Sequence, residues 1–342
     1  MRAVRFHQHG GPEVLCYEDA PDPELSPGEV LVRVRACALN HLDVWARTGL
    51  RHVRIPMPHI TGSDVSGDIV SSAATDVPIG RRVMLQPGLS CGRCLECLSG
   101  RDNECARFEV LGYVNVAGGY AEYVKVPVQN LIFIPDTIDY VQAAAFPLTF
   151  QTAWHMLLTR AQLKAGEDVL VLAAGSGVGQ AAIQIARLHG ARVIATAGSP
   201  DKLARARDLG ASEVIDHYRQ DVADEIKRLT NRRGVDVVIE HVGEATWAGS
   251  VRSLARGGRL VTCGATTGAN GALNLSALFS KRLSILGSYM GTKSELLRAS
   301  RLLFAGELKP AIDRTYPLRD AAEAHRRMEA SGQFGKIVLE VP

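Results

Sequence analysis

The sequence predicts an α/β protein in which a β-rich domain precedes a doubly wound, six-stranded parallel sheet. Three observations carry this expectation. The first 130 or so residues break into short apolar runs punctuated by glycine and proline. From Asp168 onward, apolar runs of strand length alternate with stretches of helical period. A glycine-rich turn then joins the first strand of that second half to its first helix.

The second half is organised by the stretch DVLVLAAGSGVGQAAIQIARLHGARVIATAGSPDKL, Asp168 to Leu203. Val169–Leu172 is an unbroken apolar run, as a strand covered on both faces requires. Val178, Ala181, Ala182, Ile185 and Leu188 recur at helical spacing, and Gly190 stands where a helix end favours a left-handed residue. Val193–Ala197 completes a βαβ unit. Between strand and helix lie Gly175, Ser176, Gly177, Val178 and Gly179, the expected cradle for a dinucleotide pyrophosphate, where any Cβ would obstruct the approach to backbone N–H groups. The fit to G-x-G-x-x-G is imperfect, with Ala174 and Ser176 at the first two glycine positions. The strand–turn–helix–strand context carries the nucleotide reading.

Four more strands are expected at Glu213–Ile215, Val235–Ile239, Arg259–Cys263 and Leu283–Leu286. Helical stretches separate them, Asn270–Ser280 being the weakest. Asp139–Leu158 reads as one long helix interrupted by Pro147, and a helix over Arg319–Ala330 precedes a last strand, Phe334–Val341. The expected domains are residues 1–130 with 308–342, and residues 131–307. In the first domain, strands are expected at Val30–Val34, Asp68–Val70, Arg82–Leu85 and Tyr120–Val126.

Composition sets the bounds. Of 342 residues 46% are hydrophobic, enough for two cores, and the formal net charge of +3 is too mild to argue for nucleic acid or an anionic membrane as partner. No apolar run reaches the ~18 residues of a spanning helix. The N-terminus MRAVRFHQHGG lacks a secretory apolar core, so a cytoplasmic location is expected. Cys91, Cys94, Cys97 and Cys105 form C-x2-C-x2-C-x7-C in a loop-like lobe, residues 88–107. Four thiolates so close can complete a tetrahedral zinc site, which leaves no open position for water and is therefore structural. The alternative is four unrelated cysteines or two disulfides. Asn40-His41-Leu42-Asp43 and Gly62-Ser63-Asp64 are the polar clusters, readable as turn caps and a satisfied histidine.

The β-rich start, the cysteine lobe, the AGSGVG turn and the closing Gly335-Lys336-Ile337-Val338-Leu339 together resemble the medium-chain dehydrogenase/reductase superfamily. TAGSPDKL, VDVVIEHVG and LARGGRLVTCG resemble its quinone oxidoreductase-like branch. The resemblance implies a GroES-like catalytic domain and a Rossmann domain. Zinc alcohol dehydrogenases of the superfamily hold a catalytic zinc through Cys, His and Cys. Carried over, those positions fall on Asn40, Ser63 and Thr149, none of which is a good zinc ligand. The resemblance thus implies a reductase without catalytic zinc, with Asn40 as hydrogen-bond donor, Ser63 and Thr149 beside the substrate, and Asp43 holding Asn40. Trp45 stands where related reductases carry Tyr, and it cannot act as a general acid.

Ala197 occupies the position where an NAD site carries an acidic residue, so NADP(H) is expected, with Ser199, Lys202 and Tyr218 near the 2′-phosphate and Gly264 lining the cofactor. Ser199 also reads simply as a helix N-cap. Three functions stay open: an NADPH-dependent reductase of quinones, enones or aldehydes; an alcohol dehydrogenase with metal ligands from Asp43, Asp64, His41 and His59; and a non-catalytic NADPH-binding redox sensor. The strand over Leu283–Leu286 ends the sheet, and its open edge predicts a homodimer or homotetramer.

Overall fold

The computed structural model describes residues 1–50 and 53–342. The chain divides into two compact units, Met1–Leu148 with Thr292–Pro342, and Thr149–Gly291. The first is built on a seven-stranded sheet around the long strand Glu29–Ala38. Alternate residues Val30, Val32 and Val34 are buried, as the period-2 pattern requires. Asp64–Ser72 runs antiparallel along one edge. Tyr123–Pro127 and the C-terminal strand Lys336–Glu340 share the other. Near its end the central strand carries Ala36 and Ala38, which cluster with Ala144, Ala145 and Val338. Small side chains there let the helix Tyr140–Ala144 lie close to the sheet.

Two sequence expectations need correction. Residues 131–148 and 292–307 belong with the β-rich unit and not with the nucleotide unit. Leu131–Phe133 pairs with Arg82–Leu85, and the Asp102 carboxylate accepts from the Lys293 N–H at 3.1 Å, so both segments are tied to the first unit. The long helix over 139–158 is instead a short helix, Tyr140–Ala144, followed by Pro147–Trp154 and a π-helical turn over His155–Arg160. Pro147 begins the second helix, a position where its missing N–H costs nothing.

The second unit is a parallel sheet of six strands in the order Glu213–Asp216, Arg192–Ala197, Asp168–Val171, Val235–Glu240, Leu254–Thr262, Ser284–Gly287. All six expected strands form. The fifth begins five residues early, at Leu254, with a bulge against Val235–Val237. The weak helical stretch becomes Leu275–Lys281, ended by Arg282 at φ 56°. Leu170, Ile194, Val238 and Leu260 pack with Ile215 and Ile226 into this unit's core. The strand order reverses between Asp168–Val171 and Val235–Glu240, the switch point beside which open α/β sheets bind ligands.

Candidate active site

Asn40 follows the long strand in extended conformation, φ −132°, and precedes the helix His41–Thr48. It is 6% exposed. The amide Nδ2 donates to Asp64 Oδ2 at 2.9 Å, and Lys336 Nζ donates to Asn40 Oδ1 at 2.7 Å. Lys336 also donates to Asp64 Oδ2 at 2.9 Å, closing a buried triangle, while Asp64 Oδ1 accepts from the Leu148 N–H at 2.8 Å. Lys336 is the residue that sequence reasoning missed. It stood only inside the GKIVL signature, and nothing local marks it as an active-site group.

Asp43 is the second hub. Its carboxylate accepts from the Asn40 N–H (2.8 Å), the Thr61 hydroxyl (2.7 Å), the Gly62 N–H (3.1 Å) and the Tyr120 hydroxyl (3.3 Å). Complete burial raises its pKa to about 6, against the lowering effect of those donors and of Lys336. Gly62, at φ 106°, is clamped by glycines: a Cβ on Gly112 would lie 2.5 Å from the Gly62 nitrogen. Ser63 follows this clamp, fully buried, with no partner for its hydroxyl among the described residues. His59 contacts the Gly112 carbonyl at 3.2 Å, and burial lowers the pKa of His41 and of His59. Behind Asp43, Tyr120 meets the buried His325 at 3.1 Å, whose pKa burial depresses to about 3. In the other unit, Thr149 is 3% exposed and its hydroxyl also lacks a partner among the described residues.

The glycine turn forms as the spacing implies. Ser176 caps the helix Gly177–Leu188, its Oγ accepting from the Gly179 N–H at 2.8 Å. A Cβ on Gly179 would sit 2.3 Å from the Ala173 carbonyl oxygen, so glycine is required where helix meets strand. The turn absorbs its strain at Ala173, φ 45°. Across the switch point, His241 Nε2 lies 2.6 Å from Ser176 Oγ, a contact the sequence did not signal. Gly264 passes close to the same histidine, since a Cβ there would be 3.1 Å from the His241 carbonyl oxygen.

At the end of the second strand, Ala197 leads to Gly198, which packs under the Tyr218 ring, where a Cβ would approach to 2.3 Å. Tyr218 itself is exposed. Ser199 Oγ caps the helix Pro200–Asp208 by accepting from the Lys202 N–H at 3.3 Å. The strand itself ends without a carboxylate, at Ala197, and the neighbouring strand places Asp216 level with it, its carboxylate accepting from the Tyr218 N–H at 3.0 Å.

The four cysteines converge. Their sulfurs all lie within 4.8 Å of one another, with Cys94–Cys97 at 3.5 Å and Cys91–Cys97 at 3.9 Å. A tetrahedron of thiolates about 2.3 Å from a zinc ion has edges of about 3.8 Å, so the set fits that ion. The Arg93 N–H and the Arg107 guanidinium bring the Cys91 thiol down to about 5, favouring the ligand form. This is the one cluster of three or more His, Cys, Asp or Glu ligands among the described residues.

Two family models match the chain: the alcohol dehydrogenase GroES-like domain over residues 26–136 and the zinc-binding dehydrogenase over residues 177–305. A quinone oxidoreductase of Rattus norvegicus is 33% identical over 99% of this chain and 97% of its own length. The chain belongs to the medium-chain dehydrogenase/reductase superfamily. A quinone oxidoreductase of Pseudomonas aeruginosa is likewise 33% identical, covering 99% of both chains. Among solved structures, an NAD-dependent alcohol dehydrogenase is 48% identical and superposes over 100% of both chains with a TM-score of 0.96. The β-rich unit is thus the superfamily's GroES-like domain and the parallel sheet its Rossmann-type domain. The protein is an NAD(P)-dependent oxidoreductase. No helix among the described residues is long and apolar enough to cross a membrane.

Proposed function

We propose that this chain is an NADPH-dependent reductase of quinones or α,β-unsaturated carbonyls that works without a catalytic metal, as a cytoplasmic homodimer or homotetramer. The observation that carries this reading is the Asn40–Asp64–Lys336 triangle. Asn40, at the first metal-ligand position of the zinc enzymes, already has its oxygen hydrogen-bonded to an ammonium 2.7 Å away. A dication would have to displace or lie against that positive charge, and the neighbouring Asp64 carboxylate is already committed to Lys336, Asn40 and the Leu148 N–H. When bound, the reduced nicotinamide supplies a hydride. The chain's own residues must then stabilise the charge that develops on the substrate oxygen. Asn40 donates to that oxygen, Ser63 and Thr149 offer hydroxyls that have no other partner, and Asp43 fixes the backbone of Asn40.

Ser176, Gly177, Val178 and Gly179 hold the pyrophosphate, with Gly175 and Gly264 beside it. Ser199 and Lys202 face the 2′-phosphate, and Ala197 stands where an acidic residue of the same strand would accept from the ribose. The cysteine lobe holds one structural zinc. The sheet edge Ser284–Gly287, with Tyr289 exposed beyond it, supports pairing with a second copy.

The alcohol dehydrogenase reading is favoured by one observation, the 48% identity to a chain of that name. A panel of quinones, enones and alcohols decides. Steady NADPH oxidation with quinones or enones, at one zinc per chain, supports the reductase. Two zinc ions per chain, with alcohol oxidation lost to a chelator and restored by zinc, would replace it.

A further inference from the structure

The geometry points to Lys336 as the positioning residue that sets which way the Asn40 amide faces, and therefore what it offers the substrate; we propose this role on top of the reading of Asn40 as oxyanion donor.

The three residues are brought together by strand register alone. Ala38 pairs with Val338 on one side and with Asp64 on the other. The Leu39 N–H donates to the Ile337 carbonyl at 2.9 Å, so the ladder continues one step and Lys336 comes level with Asn40. Gly335, at φ 88°, feeds the strand in under Ala311, where a Cβ would meet the Ala311 carbonyl oxygen at 2.1 Å. Lys336 is 2% exposed and Asp64 is fully buried.

An asparagine amide is ambiguous by shape, because its oxygen and nitrogen can exchange places. Here chemistry removes the ambiguity. A lysine ammonium can only donate, and an ionised carboxylate can only accept. The amide oxygen must therefore face Lys336 and the nitrogen Asp64. Nδ2 has two hydrogens, one committed to Asp64. The second is the donor left for substrate, and the ammonium on the oxygen polarises it further. Without Lys336 a single hydrogen bond to Asp64 is left to orient the amide, the amide oxygen loses its charged partner, and the remaining N–H loses the polarisation that favours a developing oxyanion.

The test is a double-mutant cycle on the full-length enzyme. Lys336→Met is expected to lower turnover by about 10–100-fold, the range for residues that orient an active-site group. The dissociation constant for NADPH, read by fluorescence, should change less than about twofold, since the loss lies in the chemical step. Asn40→Ala/Lys336→Met should be no slower than Asn40→Ala alone, because Lys336 acts only through Asn40. Unchanged turnover in Lys336→Met, or losses that multiply in the double variant, would overturn the assignment. If Lys336→Met does not fold, Lys336→Gln, neutral and one atom too short to reach Asn40, carries the same comparison with Asn40→Ala/Lys336→Gln. Turnover unaffected by Asn40→Ala would instead sink the reading of Asn40 as donor, and this inference with it.

Discussion

The cysteine lobe and the Asn40 triangle lie in the same unit, yet they gather their polar groups by different means. The lobe draws four sulfurs from fifteen consecutive residues, with only short helical turns at Leu95–Leu98 and Asp102–Glu104 between them. It has little core of its own, and Leu95 and Leu98 are exposed. The triangle draws Asp64 and Lys336 from two strands and Asn40 from just beyond the end of the strand between them, hundreds of residues apart at the widest, and buries all three. Local ligands held by a metal can be lost without the sheet. Groups held by register cannot be lost without it, so their removal should show in chemistry before it shows in stability.

The sharpest break of this comparison is Cys94→Ser. With one ligand gone, bound zinc should fall from one per chain towards none, and the melting temperature should drop because the lobe loses its main tether. Loss of turnover with zinc content and melting temperature unchanged would place the cysteines in the chemistry and erase the contrast. Asn40→Ala tests the other side. It should cost ~10²–10³ in turnover, roughly 3–4 kcal/mol in the barrier, with the Michaelis constant for NADPH nearly constant. A raised Michaelis constant at constant turnover would mean that Asn40 serves the cofactor instead.

Asp43 gives a third test, in which stability and activity run in opposite directions with pH. Its folded pKa of about 6 lies above the unfolded value near 3.8. Between those values the native state binds the extra proton, so this group's contribution to stability is present below about pH 4 and is lost as pH rises through about 6. About two pKa units correspond to ~3 kcal/mol. The four donors around the carboxylate nevertheless require the ionised form, so Asn40 and Gly62 are held best above pH 6. Turnover should therefore show an acid limb near pH 6 while the protein becomes no less stable from this group. Asp43→Asn should be slower throughout and should lack that limb. A limb of unchanged position in Asp43→Asn would assign the titration elsewhere.

What could be read from the sequence divides along the same line. The six parallel strands were legible because strands buried on both faces are continuous apolar runs, as at Val169–Leu172 and Val235–Ile239. The cysteine lobe was legible because its ligands are adjacent in sequence. Asn40, Asp43 and Ser63 came from motif positions, but the bonds between them did not, and Lys336 was invisible because its meaning depends on the pairing of Val338 with Ala38. The domain boundary slipped for a similar reason. Leu131–Phe133 is too short to declare a sheet, and only its partner Arg82–Leu85 shows which unit it joins. Pro147 carried a local signal that supports two readings, a break within a helix or a first helical residue. Only the observed ends of the two helices separate them.

The smallest expected effect sits at the nucleotide edge, where the arrangement is again local but the groups are in water. Ser199 and Lys202 are three residues apart, one capping the helix and the other in its first turn, and Tyr218 beside them is exposed. A lysine partly exposed to solvent gains little from a phosphate that water and salt also screen, up to about 1 kcal/mol or roughly fivefold. Lys202→Ala should therefore weaken NADPH binding by no more than that, spare NADH, and lose most of its effect at high salt. The triangle behaves differently because it is dry: added salt should leave the consequence of Lys336→Met unchanged. Equal catalytic efficiency with NADH and NADPH in the parent enzyme would remove the 2′-phosphate from Lys202 altogether. The strand-end position of Ala197 would then mark only the absence of a ribose ligand, and not a preference for the phosphorylated cofactor.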